Sequence, residues 1–256
     1  MIDLHCHILP GVDDGAGDIA ESLAMARMAV ADGIRTIVAT PHTFNEVYFN
    51  PPEKIFQYID QLRQILSSEQ IELRLLPGTD AHICTRMMAR VRNREVCTVN
   101  ENGRYLLVEF PAQTIPAGAR EELFQLKLNH VTPIITHPER NLVFQNNLDY
   151  LYDLVGMGCL VQITAMSVTG EMGEDAMECA HRLLEFRLGH VMASDAHSAD
   201  SRPPLLSAGV EAAAQILGSR REAEAMVLDR PEAILDGAAV EVPDPRRPKK
   251  KKWWWF

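Results

Sequence analysis

The chain has no long apolar run. Nothing in its 256 residues approaches the ~20 consecutive apolar residues that cross a bilayer. It has no excess of positive charge either. Lys and Arg number 25 against 35 Asp and Glu, a net charge of −10. That balance argues against a general nucleic-acid surface, so no nucleic-acid partner is expected. Cysteines are few, and none of Cys6, Cys84, Cys97, Cys159 and Cys179 forms a Cys-x-x-Cys pair. Reduced thiols are expected rather than a disulfide framework. Tryptophan occurs only at 253–255, so the rest of the chain has none. No basic or apolar leader fits ahead of His5, and a cytoplasmic location is expected. What remains is 46% hydrophobic and 23% charged, the make-up of an ordinary globular protein with a sizeable core. The length suits one α/β barrel.

Strand-like runs alternate with helical ones. Val-, Ile- and Leu-rich segments near 2–6, 34–39, 71–76, 105–109, 132–136, 159–163 and 190–194 read as strands. Asp18-Ile19-Ala20-Glu21 reads as a capping box opening a helix to about Ala31, with Gly33 as its stop. Pro52-Glu53 opens another to about Ser67, and 118–129, 147–156, 174–187 and 205–217 read similarly. Residues 220–237 read as one or two terminal helices. Alternation of this kind predicts a parallel sheet with crossover helices, closed or nearly closed into a seven-stranded barrel. In such barrels the active site lies at the C-terminal ends of the strands.

Metal-ligand residues recur at those ends. His5-Cys6-His7 closes the first strand, and a loop rich in Gly and Asp follows it through Asp13-Asp14-Gly15. His5 and His7 share one side of a strand because side chains alternate with period two. Asp14 is a hard oxygen donor, whereas Asp13 reads as turn chemistry. Later come Thr40-Pro41-His42, Gly78-Thr79-Asp80, Val108-Glu109, His137-Pro138-Glu139-Arg140 and Ser194-Asp195-Ala196-His197. A carboxylate ending the apolar run Tyr105–Val108 is expensive without a partner. A lone His-x-His is weak evidence, since paired core histidines are common. Nine such residues, spread over the ends of six independent strands, point to a multi-metal hydrolytic site.

This set resembles the polymerase-and-histidinol-phosphatase superfamily of metal-dependent hydrolases. The opening Asp3–Gly15, with Thr40-Pro41-His42, His137-Pro138-Glu139-Arg140 and Ser194-Asp195-Ala196-His197, is similar more narrowly to its bacterial capsule-operon tyrosine-protein phosphatases. The resemblance covers about residues 1–240. It implies a distorted (β/α)7 TIM-like barrel with a trinuclear site at the C-terminal strand ends. One metal would be held by His5, His7, Asp80 and Asp195. A second would take Asp80, Glu109 and His137, and a third Asp14, His42 and His197. Two or three divalent ions are implied, manganese being usual, with iron or zinc also suited to these donors. Arg140 would bind the substrate phosphate, its planar fork matching phosphate oxygens, although pairing with Glu139 is the alternative.

The implied reaction is hydrolysis of phosphotyrosine on protein by a metal-bridged hydroxide. The implied substrate is the Tyr-rich tail of a membrane-associated bacterial tyrosine kinase that controls capsular or exopolysaccharide synthesis. His42 is a candidate proton donor to the leaving group. A small phosphomonoester such as histidinol phosphate is the alternative substrate, and a metal-free regulatory module is a further one. Cys84-x5-Arg90 also satisfies a cysteine-phosphatase spacing, but it has no glycine for an amide cradle and reads as a helix start. Two positions depart from the family pattern. Asp80 stands where Glu is usual, one methylene shorter for bridging two metals, and Thr43 stands where a second His is common. His82 is expected to be a surface histidine first and a substitute ligand second. His130, His181 and His190 are expected to be structural.

Residues 1–240 therefore read as one catalytic domain. Residues 241–256, ending in four lysines, three tryptophans and Phe256, read as a disordered tail. Contact of that tail with an anionic membrane is the lesser alternative.

Overall fold

A computed structural model describes residues 1–248. The strands are β1 (Ile2–Cys6), β2 (Thr36–Ala39), β3 (His42–Thr43), β4 (Arg74–Pro77), β5 (Asp80–His82), β6 (Tyr105–Glu109), β7 (Thr132–Thr136), β8 (Leu160–Thr164) and β9 (Val191–Ala193). Every pairing between them is parallel. Helices connect the strands, as the alternation predicts, except between β2 and β3 and between β4 and β5.

Among the described residues the ladders form two sheets, β1-β2-β4 and β3-β5-β6-β7-β8-β9. The division falls just beyond two expected strands, at Thr40-Pro41 and at Gly78-Thr79, after which the short strands β3 and β5, not expected from the sequence, begin. Pro41 has no N–H to give a ladder. A Cβ on Gly78 would lie 2.6 Å from Val38 Cγ1 and 3.1 Å from Thr40 Cγ2, so only glycine allows the chains to approach there. The chain's first and last strands are linked at their ends. Asp195 N–H donates to His5 O at 2.8 Å, and His7 N–H donates to Ala196 O at 2.9 Å.

The strands bury two clusters. One holds Leu4, Val38, Leu76, Leu107, Ile134, Leu160 and Val191, one residue each from β1, β2, β4, β6, β7, β8 and β9. Ile234 and Leu235, from the helix Asp229–Leu235, are buried with them. The larger cluster includes the other strand faces, such as Ile37, Leu106, Val108, Ile135 and Ile163, together with helix residues such as Met25, Ile59, Leu123 and Leu183.

Helix starts follow local chemistry. Asp18 accepts from Glu21 N–H at 2.9 Å and opens Ile19–Ala31. Pro52 sits at the first position of Pro52–Ser68, where its missing N–H costs nothing. Three short helices escape the periodicity: Met87–Arg92, Leu142–Asn146 and Ala165–Thr169. With one or two turns each, they have too few positions to reveal a 3.6-residue repeat. The terminal stretch divides into Arg220–Ala225 and Asp229–Leu235.

The tail expected to be disordered from 241 onward is held at its beginning. Residues 241–248 contain no helix or strand, yet Arg246 N–H donates to Phe186 O at 2.8 Å. The Arg247 guanidinium lies 5.6 Å from the Tyr152 ring centroid, and Val240 and Val242 pack on the inner cluster. These apolar and cationic contacts place residues 240–247 against the domain. The expectations for the Lys-Trp end lie outside the described residues.

Candidate metal centre

All nine residues expected from the sequence lie together at the C-terminal ends of the strands. His5 and His7 point the same way, with their Nε2 atoms 3.0 Å apart. Each ring is held from behind. His5 Nδ1 meets Gln162 Oε1 at 3.0 Å, and His7 Nδ1 meets Asp13 Oδ2 at 2.7 Å. Such backing fixes the tautomer and turns Nε2 toward an ion. The burial of His7 would lower its pKa, but Asp13 and Asp195 outweigh it and hold it at about 10. A cation taking Nε2 must therefore displace a proton.

Asp13 is more than a turn residue, which corrects the reading from sequence. Besides His7 it accepts from Gly15 N–H at 3.0 Å and His42 N–H at 2.9 Å. Its reach depends on Gly15, where a Cβ would lie 2.1 Å from His7 O. The loop folds back on the first ligand strand only because that position carries no side chain.

Asp80 is fully buried and its two oxygens do different work. Oδ1 accepts from the Thr136 hydroxyl at 3.2 Å. Oδ2 lies 3.4 Å from His42 Nδ1, 3.6 Å from His5 Nε2 and 3.9 Å from His137 Nε2. Register places His42 directly beside Asp80 on neighbouring strands. Glu109 Oε2 is 3.5 Å from His42 Nδ1, and Oε1 is 3.7 Å from His137 Nε2. Asp14 Oδ1 lies 3.6 Å from both His42 Nε2 and His197 Nε2. Asp195 Oδ1 lies 3.3 Å from His5 Nε2 and 3.4 Å from His7 Nε2. His137 and Asp195 both hold left-handed backbone, φ 33 and 51, a conformation that persists in non-glycine residues only where the surroundings impose it.

The donors group somewhat differently from the expected allocation. Compact sets are His7, Asp14, His42, His197; His5, His7, Asp80; His5, His137, Asp195; and His42, Asp80, Glu109. His7 thus approaches the third expected set as well as the first. His42 is closer than His137 to the Asp80–Glu109 pair. His82 Nδ1 is 3.3 Å from Glu109 Oε2 and partly exposed, so it meets the site at its edge. Thr43 is buried and accepts from Asn50 N–H at 3.2 Å, a structural role.

These residues fit bound cations. Buried His42 Nδ1, Asp80 Oδ2, His137 Nε2 and Asp195 Oδ1 have no hydrogen-bond partner. Orphaned polar atoms in a native interior need an explanation. Donors ~2.1 Å from an ion stand ~3.0–3.4 Å apart in octahedral or tetrahedral geometry, close to the separations above. Burial pushes His5 and His137 below the usual histidine range, which keeps them neutral and able to ligate. Burial and the His7 charge push His197 to about 2. For Asp195, the Arg140 charge overcomes burial and holds the carboxyl well below the usual carboxylate range.

Arg140 pairs with Asp195 Oδ2 rather than with Glu139. Glu139 is buried and accepts from Thr164 N–H at 2.9 Å. A second arginine, missed from sequence, shares that carboxylate oxygen. Arg202 Nη2 lies 2.5 Å from Asp195 Oδ2 and 2.9 Å from Asp195 O. Both Arg140 Nε and Arg202 Nε lack a partner. The two arginines line a cleft of about 290 Å³ with Asp14, His42, Glu109 and His137. No spacing rule marks Arg202. Its only sequence signal is its place five residues after His197, in the loop leaving the last ligand strand.

The rival cysteine motif does not form an anion cradle. Cys84 Sγ contacts Met87 Sδ at 3.3 Å, and burial raises its thiol pKa, which disfavours a nucleophilic thiolate. Away from the cleft, His190 Nδ1 accepts from Val161 N–H at 2.9 Å, and His181 Nε2 meets Val168 O at 2.9 Å.

Comparison with known proteins gives consistent matches. A family model described as capsular polysaccharide synthesis, CpsB/CapC, matches residues 1–236. The tyrosine-protein phosphatase YwqE of Bacillus subtilis (strain 168) is 44% identical over 202 residues, 79% of each chain. The tyrosine-protein phosphatase CpsB of Streptococcus pneumoniae is 32% identical over 240 residues, 92% of this chain and 98% of the other. A crystal structure from work on those two proteins, described as unique metal-dependent tyrosine phosphatases, superposes with a TM-score of 0.93 at 38% identity. It covers 98% of this chain and 100% of the other. A β-aspartyl dipeptidase from Fervidobacterium islandicum AW-1 matches at TM-score 0.55 and 16% identity, over 95% of this chain and 75% of that one, a likeness of fold alone.

Proposed function

The chain belongs to the CpsB/CapC family of capsular polysaccharide synthesis, and from that membership and its site we propose that it is a metal-dependent phosphatase hydrolysing phosphotyrosine on protein. The observation that carries the reading is the convergence of unpartnered donors, His42 Nδ1, Asp80 Oδ2, His137 Nε2 and Asp195 Oδ1, beside two arginines with free Nε–H groups. A donor-rich pocket next to anion-binding groups suits a phosphate ester and leaves no comparable use for so many buried charges.

The proposed fold is the distorted (β/α)7 barrel, with 1–240 as one catalytic unit. Its support is the inner cluster fed by seven strands and the two backbone bonds joining the ends of β1 and β9. Two or three divalent cations, manganese by preference, would be held by His5, His7, Asp14, His42, Asp80, Glu109, His137, Asp195 and His197. Of the two Asp80 oxygens, Oδ2 has no partner and is the one left open to a cation, while Oδ1 takes the Thr136 hydroxyl. When bound, the cations supply Lewis-acid stabilisation and an activated water.

The chain's own groups do the rest. Arg140 and Arg202 would turn Nε–H and Nη–H donors onto the phosphoryl oxygens, whose negative charge grows as the ester bond breaks. Asp195 holds both guanidinium groups in place beforehand, so little reorganisation is needed. Water oxygen bonds to phosphorus as the phosphorus–phenolic oxygen bond breaks; one water proton ends on the phenolate, giving the protein's tyrosine, and the other stays with the departing hydrogen phosphate. Phenol has a pKa near 10, so its anion leaves with modest help. Of the two roles expected of His42, ligation is the one carried forward. Its Nδ1 faces Asp80 and Glu109 and its Nε2 faces Asp14, leaving no ring nitrogen turned to a leaving group.

The proposed substrate remains the tyrosine-phosphorylated tail of a membrane-associated bacterial kinase that controls capsule or exopolysaccharide synthesis, met in the cytoplasm. No helix among the described residues is long and apolar enough to cross a membrane. The test is hydrolysis of p-nitrophenyl phosphate and of a phosphotyrosine peptide with Mn²⁺, with EDTA, and by Arg140→Ala. Metal-dependent activity that needs Arg140 and favours the peptide is expected. Equal or better turnover of histidinol phosphate would move the reading to a small phosphomonoester.

A further inference from the structure

Few large apolar side chains are exposed among the described residues, and two of them lie on the loop that follows His42, a residue lining the cleft. Val47 is 75% exposed and Phe49 57% exposed. Both belong to the loop 44–49, which begins two residues after His42.

The loop is tightly built rather than loose. Phe44 N–H donates to Tyr48 O at 3.1 Å. Asn45 Oδ1 accepts from Val47 N–H at 3.2 Å and Tyr48 N–H at 2.8 Å. Phe44 and Glu46 hold φ of 65 and 69, a region that residues with a Cβ avoid. The Phe44 ring is clamped by the Arg90 guanidinium at 4.3 Å and leans on the Phe49 ring at 5.7 Å. Tyr48 lies 6.4 Å from the His42 ring and only 12° from parallel to it. A fixed, strained loop that turns Val47 and Phe49 into water gives the isolated molecule no benefit.

The reaction says what passes over this loop. The phosphorus of a bound phosphotyrosine must sit beside His42, Arg140 and Arg202. Its Cα is then roughly 8 Å away, by ordinary bond lengths. The Tyr48 ring stacks 6.4 Å from that of His42, which lines the cleft, so the loop stands within reach of a backbone at that distance.

We infer that the loop 44–49 is a docking surface for the polypeptide flanking the phosphotyrosine, with Val47 and Phe49 receiving an apolar side chain next to it. The inference rests on the phosphatase reading and adds the chemistry of the preferred substrate: an apolar residue beside the phosphotyrosine. It separates recognition of the protein from the chemistry on the ester.

The test compares the Mn²⁺-loaded protein with a Val47→Ser/Phe49→Ser double variant. Substrates are p-nitrophenyl phosphate, a phosphotyrosine peptide with apolar flanks, and the same peptide with serine flanks. Losing the burial of one apolar side chain corresponds to about a tenfold loss in affinity. The expected result is a KM for the apolar peptide raised about tenfold at constant kcat, with the peptide-to-p-nitrophenyl phosphate ratio of kcat/KM falling equally. The serine-flanked peptide should be indifferent to the substitutions. Thermal melting of both proteins checks that the loop change leaves the fold intact. An unchanged ratio in a folded variant overturns the inference while the phosphatase reading stands. So does an equal loss on both esters, or a wild-type dimer that the variant converts to monomer, which would make a second copy the loop's partner. If the unsubstituted protein hydrolyses neither ester with metal, the phosphatase reading fails and takes the inference with it.

Discussion

The two ends of the strands carry opposite chemistry on one scaffold. β6 buries Leu107 in the inner cluster and ends in Glu109; β7 buries Ile134 and leads to His137; β9 buries Val191 and leads to Asp195. The inner cluster is apolar and closed by Ile234 and Leu235. The opposite end is crowded with ionisable groups, several of whose buried atoms have no partner. Apolar burial, which is favourable, makes up the inner cluster. At the other end the fold tolerates unsatisfied donors and left-handed backbone at His137 and Asp195 in return for a site.

Changes at the two ends should therefore separate activity from stability. The largest effect expected is on removing the cations: EDTA should abolish hydrolysis, and Mn²⁺ should restore it while raising the melting temperature. Arg140→Ala should lower kcat/KM by about 10²–10³-fold, the scale of losing one charge-stabilising donor, with little change in melting temperature. An unaltered rate would remove Arg140 from phosphate binding.

Leu235→Ala should do the converse. Denaturant unfolding should show a loss of about 2–5 kcal/mol, the usual cost of a leucine cavity, while turnover per folded molecule is kept. If activity fell as far as stability, the two ends would not be independent. Asp13→Ala should weaken metal binding by about 10–100-fold in a competition titration, because His7 loses the group that orients it. The same titration on the unsubstituted protein should show affinity rising with pH below the His7 value of about 10, since binding expels a proton.

The smallest effect concerns a histidine outside the site. Burial, with the nearby Arg230 charge, pushes His190 to about 3. A lowered histidine contributes stability that is whole above its unfolded value of ~6.5 and is lost as pH falls toward its folded value. Between pH 8 and 5 that loss should be about 2 kcal/mol. His190→Gln should flatten this part of the stability profile without altering metal binding. An unchanged acid limb in the variant would assign the limb to other groups.

Much of this was legible in the sequence because it is local. Strand runs, the Asp18 cap and Pro52 at a helix start depend on neighbours a few residues away, and each fell close to the expected position. The short helices such as Ala165–Thr169 were not legible, being too brief to show a period. Asp13 was passed over because an aspartate in a Gly-rich loop has a sufficient turn explanation. Its partner ring becomes visible only when Gly15 lets the loop fold back on His7. Arg202 had no motif at all, and the tail's anchorage through Arg246 and Arg247 depends on helices far upstream.

The sequence by itself determined that ligand-type residues end parallel strands, because period-two alternation and apolar patterning are written into each segment. It also carried the motifs that identify the family. Only the tertiary structure decided which donors stand within reach of the same ion, and that one oxygen of Asp80 is free while the other is held by Thr136. It alone placed Arg140 and Arg202 on a shared carboxylate. Those outcomes depend on the register between strands and on side-chain directions across more than a hundred residues of chain, which no spacing along the chain specifies.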